Sequence, residues 1–112
     1  MTTRPSATSP HLEVVATGAL ATVQDLGRPG YAHLGVPLSG AADRGALRLA
    51  NRLVGNTEGA AGIEVTLGGL SVTATGDLLM VLTGAPCPVL VDGRPTGPGA
   101  AFVVRDGQTV SL

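Results

Sequence analysis

Glycine and proline interrupt this sequence so often that only one stretch, residues 41–54, has the length and composition for a helix of several turns. The other apolar runs are short, rich in Val, Leu and Ile, and bounded by Gly, Pro, Asn or Asp, which is the pattern of strands joined by tight turns. Runs of this kind occupy residues 12–17, 21–24, 63–67, 70–75, 78–82, 88–91, 101–104 and 108–112. The expected fold class is mainly β with one α-helix.

Several runs carry further detail. Ile63, Val65 and Leu67 alternate with Glu64 and Thr66, and Leu70, Val72 and Ala74 alternate with Ser71, Thr73 and Thr75, so both segments read as half-buried strands. Residues 78–82 are continuously apolar, which predicts a central strand covered on both faces. Asp92-Gly93 is a hairpin-turn signal. The last run ends the sequence on apolar residues, so the final strand is expected to present an unpaired edge.

In the helical stretch Ala46, Leu49, Ala50 and Leu53 recur at helical spacing, which puts Arg44, Arg48 and Arg52 on the wet side. Ser39 is the expected N-cap, and Gly55-Asn56 the stop. Before the helix, residues 25–40 (DLGRPGYAHLGVPLSG) hold four glycines and two prolines and are expected as an ordered loop. Residues 1–11 offer little apolar surface to offset ordering and are expected as a disordered tail, with one β-rich domain over residues 12–112.

Composition excludes several functions. The 112 residues suffice for one small domain, and its core must be aliphatic because Tyr31 and Phe102 are the only aromatics. The net charge of -1 gives no field for nucleic acid or an anionic membrane, and no apolar run is long enough to span a bilayer. All seven basic residues are Arg, so a Walker lysine, a Schiff-base lysine and a biotin-bearing lysine are absent from this sequence. Cys87 has no second cysteine to pair with, which makes a reducing cytoplasm the simplest setting, and it reads as a small buried hydrophobe rather than a nucleophile. His11 and His33 lack the spacing of metal ligands, and no metal site is expected. The Gly27 to Gly30 string opens no helix and has no Lys beside it, so phosphate binding is weakly supported.

The stretch TVQDLGRPGYAHLGVPLSGAADRGALRLANRLVGN, residues 22–56, resembles the opening signature of the family formed by the C subunit of bacterial 5-oxoprolinases, also called allophanate hydrolase subunit 2 or biotin-dependent carboxyltransferase proteins. IEVTLGGL at residues 63–70 and LTGA at residues 82–85 are similar to later segments of that family. The resemblance implies a cyclophilin-like β-barrel, of which this chain is the N-terminal portion, members being considerably longer. It also implies a B-subunit partner of the allophanate hydrolase subunit 1 type and extends to the A subunit of the same complex. ATP or biotin would sit on those partners, and no cofactor on this chain.

Within this resemblance, Gln24, Asp25 and Arg28 are candidates to meet a lactam or urea group. Arg28 would bind a substrate carboxylate, Gln24 would hydrogen-bond the amide, and Asp25, the candidate catalytic residue, would orient Arg28 or a water. The alternative is that Asp25 and Arg28 clamp the loop to itself. Ser39 lies in no nucleophile elbow and reads as a cap, Asp43 complements the helix dipole, and Glu64 lies on a polar strand face, where Thr66 joins it. All three of Ser39, Asp43 and Glu64 remain candidates for substrate contact through the motif or their placement beside the loop.

Three functions follow from the resemblance. The first is membership of an ATP-dependent 5-oxoprolinase complex that opens 5-oxoproline to glutamate. The second is a carboxyltransferase component moving carboxyl from biotin to urea or a related amide. The third is a non-catalytic partner-binding protein that antagonises a histidine-kinase inhibitor.

Overall fold

Leu70, Val72 and Ala74 point the same way from one strand and are all buried, and around them the rest of the chain is organised. The computed structural model describes residues 9–97 and 99–112. Nine strands are described: β1 (His11–Thr17), β2 (Leu20–Gln24), β3 (Gly62–Thr66), β4 (Leu70–Thr75), β5 (Leu78–Met80), β6 (Leu90–Val91), β7 (Arg94–Pro95), β8 (Phe102–Val104) and β9 (Thr109–Ser111). One α-helix, α1 (Arg44–Leu53), and a short 3-10 turn at Ala32–Leu34 complete the described elements. The first eight residues of the expected tail lie outside the described residues, and His11, placed in that tail by its sequence, already opens β1.

Five strands form an antiparallel sheet in the order β1-β4-β9-β6-β7, while β2 pairs with β3 and β5 with β8. The protein is mainly β, with a single α-helix among the described residues. Its ladders form three sheets among the described residues rather than one continuous ring. All three sheets contribute to one core: Val72, Val104 and Val110 are buried in it, with Ala21, Val65, Leu78 and Phe102 packed against it. This is the aliphatic core that the scarcity of aromatics requires.

Glycine is required where two turns meet. Leu67, Gly68 and Gly69 all have positive φ and make the turn from β3 to β4. Gly18, between β1 and β2, lies so close to it that a Cβ would collide with the Gly68 carbonyl and with the Gly69 backbone at 2.9 Å. Only a residue without a side chain fits this contact of backbone on backbone.

Several expectations are corrected. Leu67 does not continue the inward face of β3, because its left-handed turn conformation (φ 63) leaves it 91% exposed. Residues 78–82 are not a central strand: among the described residues β5 pairs only with β8, and the cross-strand partners Leu79 and Val103 are both exposed. A continuous apolar run does not reveal whether both faces are covered. The final strand is no edge, since β9 pairs with β4 on one side and β6 on the other.

The helix begins later than expected, at Arg44, and Asp43 is its N-cap, its side chain accepting from Ala46 N–H. Ser39 does not cap it. Asp92 and Gly93, both with positive φ, make the β6–β7 hairpin turn that their sequence predicts.

Candidate functional site

The loop between β2 and α1 is closed by its own polar groups. Asp25 Oδ1 accepts from Gly27 N–H at 2.8 Å, a local turn that an aspartate forms with the residue two positions on. The Asp25 carbonyl then accepts from Ala41 N–H at 2.8 Å, and the Leu38 carbonyl from Arg28 N–H at 2.6 Å, so the outgoing and returning arms lie side by side. Their approach is close. A Cβ on Gly27 (φ +92) would stand 2.5 Å from the Leu38 oxygen, and one on Gly40 (φ +84) would stand 2.5 Å from Gly27 N.

This closure brings Arg28 to Ser39, whose Oγ accepts from Arg28 Nη2 at 3.1 Å. Ser39 holds a left-handed backbone (φ 53), which costs a non-glycine residue about 1–2 kcal/mol. Arg44, expected on the wet face of the helix, is half-buried and turned onto the loop: it donates from Nη2 to the Ser39 carbonyl and from Nε to the Leu26 carbonyl at 3.3 Å. Arg48 and Arg52 are exposed, as their spacing predicts.

The remaining candidates hold neighbouring structure. Glu64 Oε2, on β3, accepts from Ala42 N–H at 2.8 Å and ties the segment ahead of the helix to the β2–β3 sheet. Asp43 is occupied at the helix start. Gln24 Nε2 donates back along its own strand to Thr22 Oγ1 at 3.2 Å, away from the Arg28–Ser39 pair. The structure therefore joins Arg28 to Ser39, places Asp25 and Glu64 at the base of the same loop, and shows no hydrogen bond between Gln24 and Arg28 among the described residues.

Arg28 combines exposure with a guanidinium held by a side-chain hydrogen bond to Ser39. Among the described residues the ion pairs are Arg52–Glu58 and Arg105–Asp77, so Arg28 has no carboxylate partner there. A guanidinium fixed at one nitrogen and unpaired with an acid can receive a carboxylate in bidentate geometry. No cluster of three or more potential metal ligands occurs among the described residues.

A second feature was not legible in the sequence. A cleft of about 310 Å³ lies between Leu49 and Leu53 of α1 and the segment from Leu82 to Cys87, with Phe102 also in its wall. None of the sequence candidates lines it. Leu49 and Leu53, read as core-facing, border this cleft and remain 43% and 41% exposed. Helical spacing locates the apolar face but not how completely it is covered. Cys87, in the same wall, is half-buried, with its thiol directed to the Pro88 carbonyl at 3.6 Å.

The helix is anchored near both of its ends. Thr83 Oγ1 donates to the Ala46 carbonyl at 2.7 Å, and buried Asn51 donates to the carbonyls of Glu58 and Ala60 at 3.0 and 2.8 Å. These contacts tie the helix to the segment after β5 and to the turn that follows the helix.

The family described as carboxyltransferase domain, subdomain A and B, matches residues 34–112, from the returning arm of the loop to the last strand. The chain belongs to this carboxyltransferase-domain family. Over 101 residues it is 40% identical to the C subunit of 5-oxoprolinase from Escherichia coli (strain K12), covering 90% of this chain and 33% of that protein. It is 37% identical to the urea amidolyase of Saccharomyces cerevisiae (strain ATCC 204508 / S288c), covering 90% of this chain and 6% of that protein. The crystal structure of the K. lactis urea amidolyase superposes with a TM-score of 0.85 at 34% identity, over 89% of this chain and 6% of that one. This carboxyltransferase-domain chain thus spans about a third of the length of its 5-oxoprolinase relative.

Proposed function

We propose that this chain works as part of an ATP-dependent 5-oxoprolinase, in the cytoplasm, with a B-subunit partner. In that reaction water adds across the lactam C–N bond of 5-oxoproline and frees the amine and new carboxylate of glutamate, with ATP bound by a partner protein. The observation that carries the reading is the exposed Arg28 guanidinium, held by Ser39 and lacking an acidic partner among the described residues. The substrate supplies the missing carboxylate. Asp25, on the same arm of the loop and committed through one oxygen to Gly27, stands near enough in sequence to orient Arg28 or a water.

The 40% identity to the C subunit of a 5-oxoprolinase supports this choice among the activities of the relatives. Partner contact has surface available, since Leu20, Val23, Leu67 and Leu79 are exposed, and exposed apolar side chains of this kind are what protein interfaces bury.

A second reading is favoured by the family description and by the urea amidolyase relatives. In it, a carboxyl group passes from biotin to urea or a related amide nitrogen. These 112 residues contain no Lys, so in this reading biotin is attached outside them.

Reconstitution separates the two. The chain is purified with its candidate B and A partners, and glutamate release from 5-oxoproline is followed with and without ATP. ATP-dependent release is the expected result. No release, together with carboxyl transfer to urea from a biotinylated carrier, would replace the first reading by the second.

A further inference from the structure

We propose that Arg44 is a positioning residue for the guanidinium of Arg28. The inference rests on the reading in which Arg28 receives the substrate carboxylate, and it adds a residue that neither the sequence pattern nor that reading includes.

Arg44 opens α1 and is half-buried, whereas Arg48 and Arg52 of the same helix are exposed. Two nitrogens of its planar group reach backbone carbonyls on opposite arms of the loop, Leu26 on the outgoing arm and Ser39 on the returning one. The rigid fork of an arginine suits such a two-point contact, and a lysine ammonium on a flexible stem does not reproduce it.

Ser39 is the link to Arg28. Its carbonyl is held by Arg44 while its hydroxyl accepts from Arg28 Nη2 at 3.1 Å. Its left-handed backbone (φ 53) is a conformation that a serine keeps only where neighbours impose it. The neighbours that do so are Arg44 and the Gly27–Gly40 contact. Arg44 therefore fixes Ser39, Ser39 Oγ fixes one nitrogen of Arg28, and the remaining donors of Arg28 are aimed for a ligand. Arg44 touches no substrate in this scheme.

The test uses the assembled complex with 5-oxoproline as the probe. Arg44→Ala is expected to raise KM about tenfold, the loss of roughly one aligned charged hydrogen bond, with kcat changed less than about twofold. Arg44→Lys should fall between it and the parent. The double variant Arg28→Ala/Arg44→Ala should be no weaker in KM than Arg28→Ala alone, because the effect of Arg44 passes through Arg28. Where Arg28→Ala itself raises KM, additive losses, or an Arg44→Ala KM equal to the parent's, would overturn the proposal.

A crystal structure of Arg44→Ala, with Arg44→Lys as the milder replacement should the first fail to fold, decides the point without activity. Loss of the Arg28–Ser39 hydrogen bond supports the proposal, and its retention overturns it. A complex that releases no glutamate, or an Arg28→Ala variant with unchanged KM, refutes the 5-oxoproline reading alone, and the crystallographic comparison still decides the role of Arg44.

Discussion

At the scale of single residues, the loop is held by glycines whose missing side chains leave room for backbone. Gly27→Ala places a methyl group 2.5 Å from a carbonyl oxygen in a left-handed conformation, and it is expected to cost about 1–3 kcal/mol as overpacking does elsewhere. Gly30→Ala is the control. Its φ is also positive (+87), but nothing lies within 4 Å, so only the conformational cost of about 1–2 kcal/mol applies, which Gly27→Ala bears in addition to its overpacking. Urea denaturation midpoints of the two variants check the difference, and equal midpoints would contradict the close approach of Gly27 and Gly40. Asp77 gives a pH prediction at the same scale. The Asp106 N–H and then the Arg105 guanidinium hold its carboxyl below the usual carboxylate range. A carboxylate whose folded pKa is depressed stabilises the fold fully above its unfolded value, and that contribution is lost as pH falls through the folded value. The melting temperature should therefore fall as pH drops below about 4. Asp77→Asn should show a shallower decline over that window than the parent, and an unchanged slope would count against the linkage.

At the scale of elements, the reassigned cap makes the sharpest test. Asp43→Ala should cost about 1 kcal/mol and reduce helicity, because it removes the acceptor for Ala46 N–H. Ser39→Ala should leave helicity unchanged, and circular dichroism of both variants distinguishes Asp43 from Ser39 as the cap. Both residues are good caps by type, and sequence alone favoured Ser39. What decides between them is the left-handed pair Ser39 and Gly40, whose conformation is imposed by contact with Gly27 across the loop. The same distinction separates what was legible in the sequence from what was not. The buried face of β4 and the Asp92-Gly93 turn are local, set by alternation and by φ > 0 preferences, and both could be read directly. The one-sided pairing of β5 and the two-sided pairing of β9 depend on segments distant in the chain, while the exposure of Leu67 follows from the left-handed turn it enters, which strand alternation does not reveal. For the site, the motif marked Arg28 and Ser39 but not Arg44, because helical spacing sent Arg44 to solvent while the contact that captures it comes from an irregular loop.

At the scale of the whole molecule, the three sheets of the described residues share one aliphatic core, and the helix is held by Thr83 and by the bonds of Asn51 to the turn that follows it, while Leu49 and Leu53 stay partly exposed. That arrangement sets a polar loop at the helix start and an apolar cleft along the helix face, each built from different residues. Of the two, the loop carries the group suited to a charged substrate. The most direct measurement is the KM for 5-oxoproline of the reconstituted complex carrying Arg28→Ala. Loss of a charged hydrogen-bonding partner for the substrate carboxylate predicts a rise of about 10- to 100-fold, and a KM within about twofold of the parent's would contradict the claim that Arg28 receives it.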